Sequence, residues 1–212
     1  MLNIIAYIGY FILLLNLVVF IKTSSNQGKS YKIFILYLGV IFCVQIAGSI
    51  LAYHKTNNLF LSHLYFVGQF IILSFFFLAV LTNERQKKIV KIGLIFGLAA
   101  LAIQYSLNPS LLYKFNLFEI FITSFLVIVF ATIHLYNMLG EAKLFYYITV
   151  GLLIYLFGST ALFLTGNLMG EMSSGVNKII WILNVILYAL YQLFILLEWK
   201  KNYYKRETNT IL

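Results

Sequence analysis

Seven stretches of this chain each run for about 20 residues with hardly a charge in them, and that pattern constrains the fold more than any other feature. They are roughly Leu2–Ile21, Tyr31–Tyr53, Leu59–Leu81, Ile89–Leu107, Leu117–Leu139, Phe145–Gly166 and Lys178–Trp199. A helix rises about 1.5 Å per residue, so such a stretch crosses a hydrocarbon core about 30 Å thick. Within that core every backbone N–H and C=O must be paired inside the protein, which leaves helices or a closed barrel. A barrel would show strict alternation over shorter segments. The run from Phe70 to Phe77 is apolar on all sides instead. The expected fold is all-α: a polytopic membrane protein whose residues 1–212 form a single seven-transmembrane-helix bundle with short connections.

Composition supports this reading. The chain is 62% hydrophobic and only 10% charged, against about 25% charged in soluble domains. A soluble enzyme, a disordered regulator and a secreted disulfide scaffold are excluded. The first hydrophobic stretch has no basic residues before it and is too long for the apolar part of a signal peptide, so it is expected to remain as the first helix.

Charge sets the expected orientation. Lys22, Lys29, Lys32, Arg85, Lys87, Lys88, Lys91, Lys143, Lys200, Lys201, Lys205 and Arg206 fall in connections on one side, and Lys55, Lys114 and Lys178 on the other. Basic residues stay in the cytoplasm, so the N-terminus is expected outside and the C-terminus inside. The net charge of +9 then reflects topology and contact with anionic lipids at the cytoplasmic face, and no nucleic acid is expected. Trp181 and Trp199 stand about 27 Å apart along a helix, matching opposite aromatic belts.

Small residues mark where helices can approach. Gly93, Gly97 and Ala100 make one such stripe, and Gly39, Cys43 and Ala47 another. Packing within the chain is the expectation, with a homo-oligomer as the alternative. Cys43 is the only cysteine, which excludes an internal disulfide or a cysteine metal cluster, and it reads as a packing residue.

Polar side chains in a bilayer are costly and therefore informative. Gln45 lies mid-way along the second segment and His54 at its outer end. The third carries Ser62, Tyr65 and Gln69 on one face, with His63 beside them. Gln104 ends the fourth, and Glu119 opens the fifth with Thr123 one turn on. Asn184, Tyr188 and Gln192 share a face of the last. With the expected orientation most lie in the outer half or at mid-depth. The expected ligand-binding set is Gln45, His63, Tyr65, Gln69, Glu119, Asn184, Tyr188 and Gln192. The competing role for these groups is hydrogen bonding between helices.

No catalytic residue, metal or cofactor is expected. The chain has no aspartate, which removes intramembrane aspartyl chemistry and the metal sites of ceramidase-like hydrolases. His54 and His63 could approach each other, but a zinc site with Glu119 is disfavoured. No lysine sits in the middle of the seventh segment, as a retinal protein requires. Asn83-Glu84-Arg85-Gln86 lacks the aromatic of the receptor triplet, and Asn184 to Tyr188 lacks its proline.

The run Asn57-Asn58-Leu59-Phe60-Leu61-Ser62-His63-Leu64-Tyr65, followed by Gln69-Phe70, resembles a pattern in small seven-helix bacterial membrane proteins. The resemblance implies an outside N-terminus and no soluble domain, and it implies no activity. Those proteins often carry glutamate where this chain has Gln69, which weakens a proton or cation role there. Lysine outnumbers arginine 13 to 2, a usage that points to an AT-rich bacterium and so to a multi-pass protein of the cell inner membrane.

The function expected from these residues is a receptor-like or ligand-sensing module that acts through a protein partner. The basic loop Arg85–Lys91 and the tail Lys200–Arg206 are its available docking surfaces. The alternative is an oligomeric channel or small-solute transporter, such as an accessory membrane protein of a bacterial defence system. A lipid-modifying enzyme ranks last.

Overall fold

An apolar chain that cannot pair its backbone with solvent pairs it along helices. The computed structural model describes residues 2–140, 143–169 and 174–204. These contain α1 (Leu2–Lys22), α2 (Lys29–Tyr53), α3 (Leu59–Val80), α4 (Glu84–Leu107), α5 (Leu117–Asn137), α6 (Tyr146–Met169) and α7 (Ser174–Asn202), with a 3-10 turn at Pro109–Tyr113 and no strand among the described residues. Six helices, α2 to α7, are long and apolar enough to cross a membrane. In α1 the apolar stretch Ala6–Lys22 is shorter. Lys205 and Arg206, the end of the basic tail, lie outside the described residues.

Helix α4 begins five residues before the hydrophobic segment does. The Asn83 side chain accepts from the Arg85 N–H at 2.8 Å, and Lys87 pairs with Glu84 at 2.7 Å. Capping and a pair one turn apart extend the helix through a charged turn. Hydropathy marks where the bilayer is, and capping marks where the helix is.

The surface inverts the soluble rule. Ile95 is 69% exposed and Glu119 1%. The outward stripe of α4 is Ile92, Ile95, Phe96 and Ile103, while Val90, Gly93, Gly97 and Leu101 face inward. An apolar exterior, with the few polar side chains such as Glu119 turned inward, suits hydrocarbon as the surrounding medium.

The chain forms two compact units. In the first, α1 and α6 both pack on α7. Gly151 and Gly158 of α6 receive Phe194 and Leu187 of α7, so close that an added Cβ would fall 2.5 Å and 2.6 Å from them. The Asn16 amide donates to the backbone and side-chain oxygens of Gln192 at 2.9 and 3.0 Å. Tyr155 stacks on Tyr191 at 5.5 Å.

The second unit holds α2 to α5. Gly93 and Gly97 of α4 make room for Phe130 and Leu126 of α5 and for Phe70 of α3, so this stripe is used within the chain. Cys43, expected to pack, is exposed. Phe34 of α2 meets Phe76 of α3 at 5.5 Å.

Candidate functional site

Three helix ends meet at one end of the α2–α5 unit: the start of α3, the end of α4 and the start of α5. The 3-10 turn joins α4 to α5 and packs on both α3 and α4. Asn116 caps α5, with its side-chain oxygen accepting from the Glu119 N–H at 3.3 Å. Asn-x-x-Glu is a capping sequence, but here the Glu119 carboxylate is turned toward the neighbouring helices. It lies in the first turn of α5, where the helix dipole favours negative charge.

His63 comes from the second turn of α3. Its Nδ1 lies 3.1 and 3.0 Å from the two Glu119 oxygens. Tyr105, in the last turn of α4, donates its hydroxyl to Glu119 and lies 2.9 Å from His63 Nδ1. The two rings meet edge to face at 5.6 Å. Asn116 donates to the Tyr105 oxygen at 3.1 Å and to Gln104 Oε1 at 2.9 Å, and Gln104 returns a bond at 3.3 Å. Thr123 donates to the Glu119 carbonyl at 2.7 Å.

The donors and acceptors assign the proton. As a carboxylate Glu119 only accepts, and Tyr105 already donates to it, so in that state Nδ1 carries the hydrogen that faces them. In the neutral imidazole Nε2 is then a bare lone pair, and in the charged form it is a second donor. Nε2 is buried and has no hydrogen-bond partner among the described residues. His63 itself is only 7% exposed. A buried polar atom without a partner is costly. Here it is held in one orientation by a carboxylate and a phenol, the arrangement that prepares an imidazole to take a hydrogen-bond donor, a proton or a metal.

Of the residues picked from sequence, His63 and Glu119 come together. Gln69 is buried and instead accepts from the Tyr37 hydroxyl of α2 at 3.2 Å. Tyr65 is buried with its ring edge to face with Phe66 at 5.2 Å. Gln45 is half-buried, and its backbone carbonyl takes the Ser49 hydroxyl at 2.9 Å. His54 is exposed at the end of α2. Asn184, Tyr188 and Gln192 belong to the other unit. Tyr188 packs against Gly9 and Gln192 pairs with Asn16. Asn184 is half-buried, and its side-chain oxygen has no hydrogen-bond partner among the described residues. No group of three His, Cys, Asp or Glu side chains among the described residues is placed to hold a metal.

Tyr105, Asn116, Asn16 and Glu198 were not singled out from sequence. Asn116 carried a signal, standing three residues before Glu119 at a helix start. Glu198 carried one too, as an acid inside the last hydrophobic segment. It is fully buried, and its carboxylate caps α6 through the Tyr147 N–H at 2.8 Å and holds Asn202. Tyr105 is one tyrosine among 16 at a helix end where aromatics are common, and carried none.

Comparison with known proteins gives no matching family model, no matching curated protein and no matching solved structure.

Proposed function

We propose that this is a receptor-like membrane module, and that its ligand site is the His63–Glu119–Tyr105 cluster with Nε2 of His63 as the recognition atom. The observation that carries the reading is that buried, oriented and unpartnered nitrogen. In this reading all seven helices span a bacterial inner membrane, α1 included, with the N-terminus outside. The cluster then opens toward the exterior, and signalling passes to a protein partner at the cytoplasmic face.

Binding fits this cluster better than catalysis. Among the described residues no hydroxyl or thiol bonds to Nε2, so the dyad has no nucleophile aligned with it. Transport is less well supported, because α2 to α6 are unbroken and the acid of the cluster lies in a first helical turn rather than at mid-span.

Carbethoxylation by diethyl pyrocarbonate, mapped by mass spectrometry on the protein in nanodiscs, tests the site. His54 is exposed and His134 buried, so the chain carries both references. A ligand site that small solutes can enter predicts that His63 reacts well above His134, although both rings are buried, and below exposed His54. Protection of His63 equal to that of His134 would sink the proposal.

A further inference from the structure

The unit built from α1, α6 and α7 has its own cavity, of about 230 Å³, lined by Lys143, Tyr146, Tyr147, Lys201 and Asn202. It lies where α6 starts and α7 stops. Those are the ends of two candidate membrane spans, Tyr146–Gly166 and Lys178–Asn202. Helix ends of this kind sit at the level of the lipid headgroups, where tyrosine is enriched.

The lining is chemically one-sided. Among the described residues it offers two ammonium groups, two phenols and an amide, and no carboxylate. The acid bonded to this lining, Glu198, is fully buried and already occupied by the Tyr147 N–H and the Asn202 amide. Among the described residues neither Lys143 nor Lys201 forms an ion pair. Lys143 Nζ lies 5.4 Å from the centre of the Tyr146 ring, a cation–π contact that steadies the long side chain at the cavity. The cavity is several times larger than the roughly 30 Å³ share of one water, so it has room for a tetrahedral anion and the first atoms attached to it. Basic pockets between membrane helices are suited to anionic headgroups.

We propose that this cavity binds the phosphate of an anionic phospholipid headgroup, clamped between Lys143 and Lys201. The proposal requires that the chain spans a membrane, and it is independent of any ligand at His63.

Native mass spectrometry of the full chain in a neutral detergent, with phosphatidylglycerol, phosphatidylcholine or inorganic phosphate added, is the test. Wild type is expected to retain phosphatidylglycerol over phosphatidylcholine by at least about tenfold, since each lysine beside an anionic lipid is worth about fivefold. K143Q/K201Q is expected to abolish that preference. K88Q/K91Q, with the same charge change on α4, is expected to keep it. If the double variant does not fold, K201E alone should produce the same loss, with K88E as its matched control. The proposal is overturned by equal retention of the two lipids, by an equal loss in the α4 control, or by millimolar phosphate displacing the lipid from wild type.

Discussion

His63 Nδ1 and the Glu119 carboxylate lie 3.0 Å apart across 56 positions of sequence, at the meeting of two helix ends that a third, through Tyr105, closes. The pair is both a tertiary lock and the device that fixes the imidazole. Its two roles are separable by substitution.

Removing the buried carboxylate strands two donors, the His63 Nδ1–H and the Tyr105 hydroxyl, at about 1–3 kcal/mol each. Removing a hydroxyl costs about 0.5–1.5 kcal/mol. Glu119→Ala is therefore expected to destabilise the protein well beyond Tyr105→Phe. Reversible unfolding in mixed micelles measures both, and equal losses would contradict this hierarchy.

The two glycine pairs make different predictions. A Cβ at Gly151 would meet Phe194 Cβ at 2.5 Å, an atom that moves only with its backbone. At Gly97 it would meet Phe70 Cζ at 2.8 Å and Leu126 Cδ1 at 2.9 Å, the far ends of two side chains rather than an atom fixed to the backbone. Gly151→Ala is expected to cost about 1–3 kcal/mol by overpacking. Gly97→Ala should cost less than Gly151→Ala, because side-chain ends can shift by tenths of an ångström where a Cβ cannot. Thermal denaturation of the two variants decides it.

Much of this structure was legible in the sequence, for identifiable reasons. Hydrocarbon demands helices, so the seven segments name the seven helices within a few residues. The exceptions fall where polar capping outruns hydropathy, as Asn83 does for α4. Gly93 and Gly97 declared themselves by spacing, but Gly151 and Gly158 did not, being seven residues apart. His63 and Glu119 each stood out as polar groups in apolar segments. That they pair could not be read, because pairing depends on which helix ends meet, and the apolar faces that decide this look alike on every helix. Cys43 shows the same limit: its spacing matched a packing stripe, but the helix presents it outward.

Asn16 and Gln192 join α1 to α7 by a side-chain pair in an apolar setting. Such bonds between membrane helices are worth about 0.6–2 kcal/mol. Asn16→Leu is expected to cost that much, and Asn16→Leu with Gln192→Leu less than the sum of the single losses, because no polar group is left stranded. A double-mutant cycle on unfolding free energy is the check. Strict additivity would show that the pair carries no coupling.

Orientation is testable with single cysteines in a Cys43→Ser background. Asn57 and Lys88 are both exposed and lie in or beside connections at opposite ends of α3. A membrane-impermeant maleimide added to intact cells is expected to label Asn57→Cys and spare Lys88→Cys. The reverse pattern would invert the assigned topology.

The central claim is that Glu119 and Tyr105 hold His63 with Nε2 free to receive a ligand. Nitrogen-15 NMR of histidine-labelled protein in nanodiscs tests it directly, since the chain has three histidines. The account predicts that neutral His63 carries its hydrogen on Nδ1, with Nε2 as an unprotonated ring nitrogen, and that Glu119→Gln alters this state. A neutral His63 with its hydrogen on Nε2 and a bare Nδ1 would contradict it.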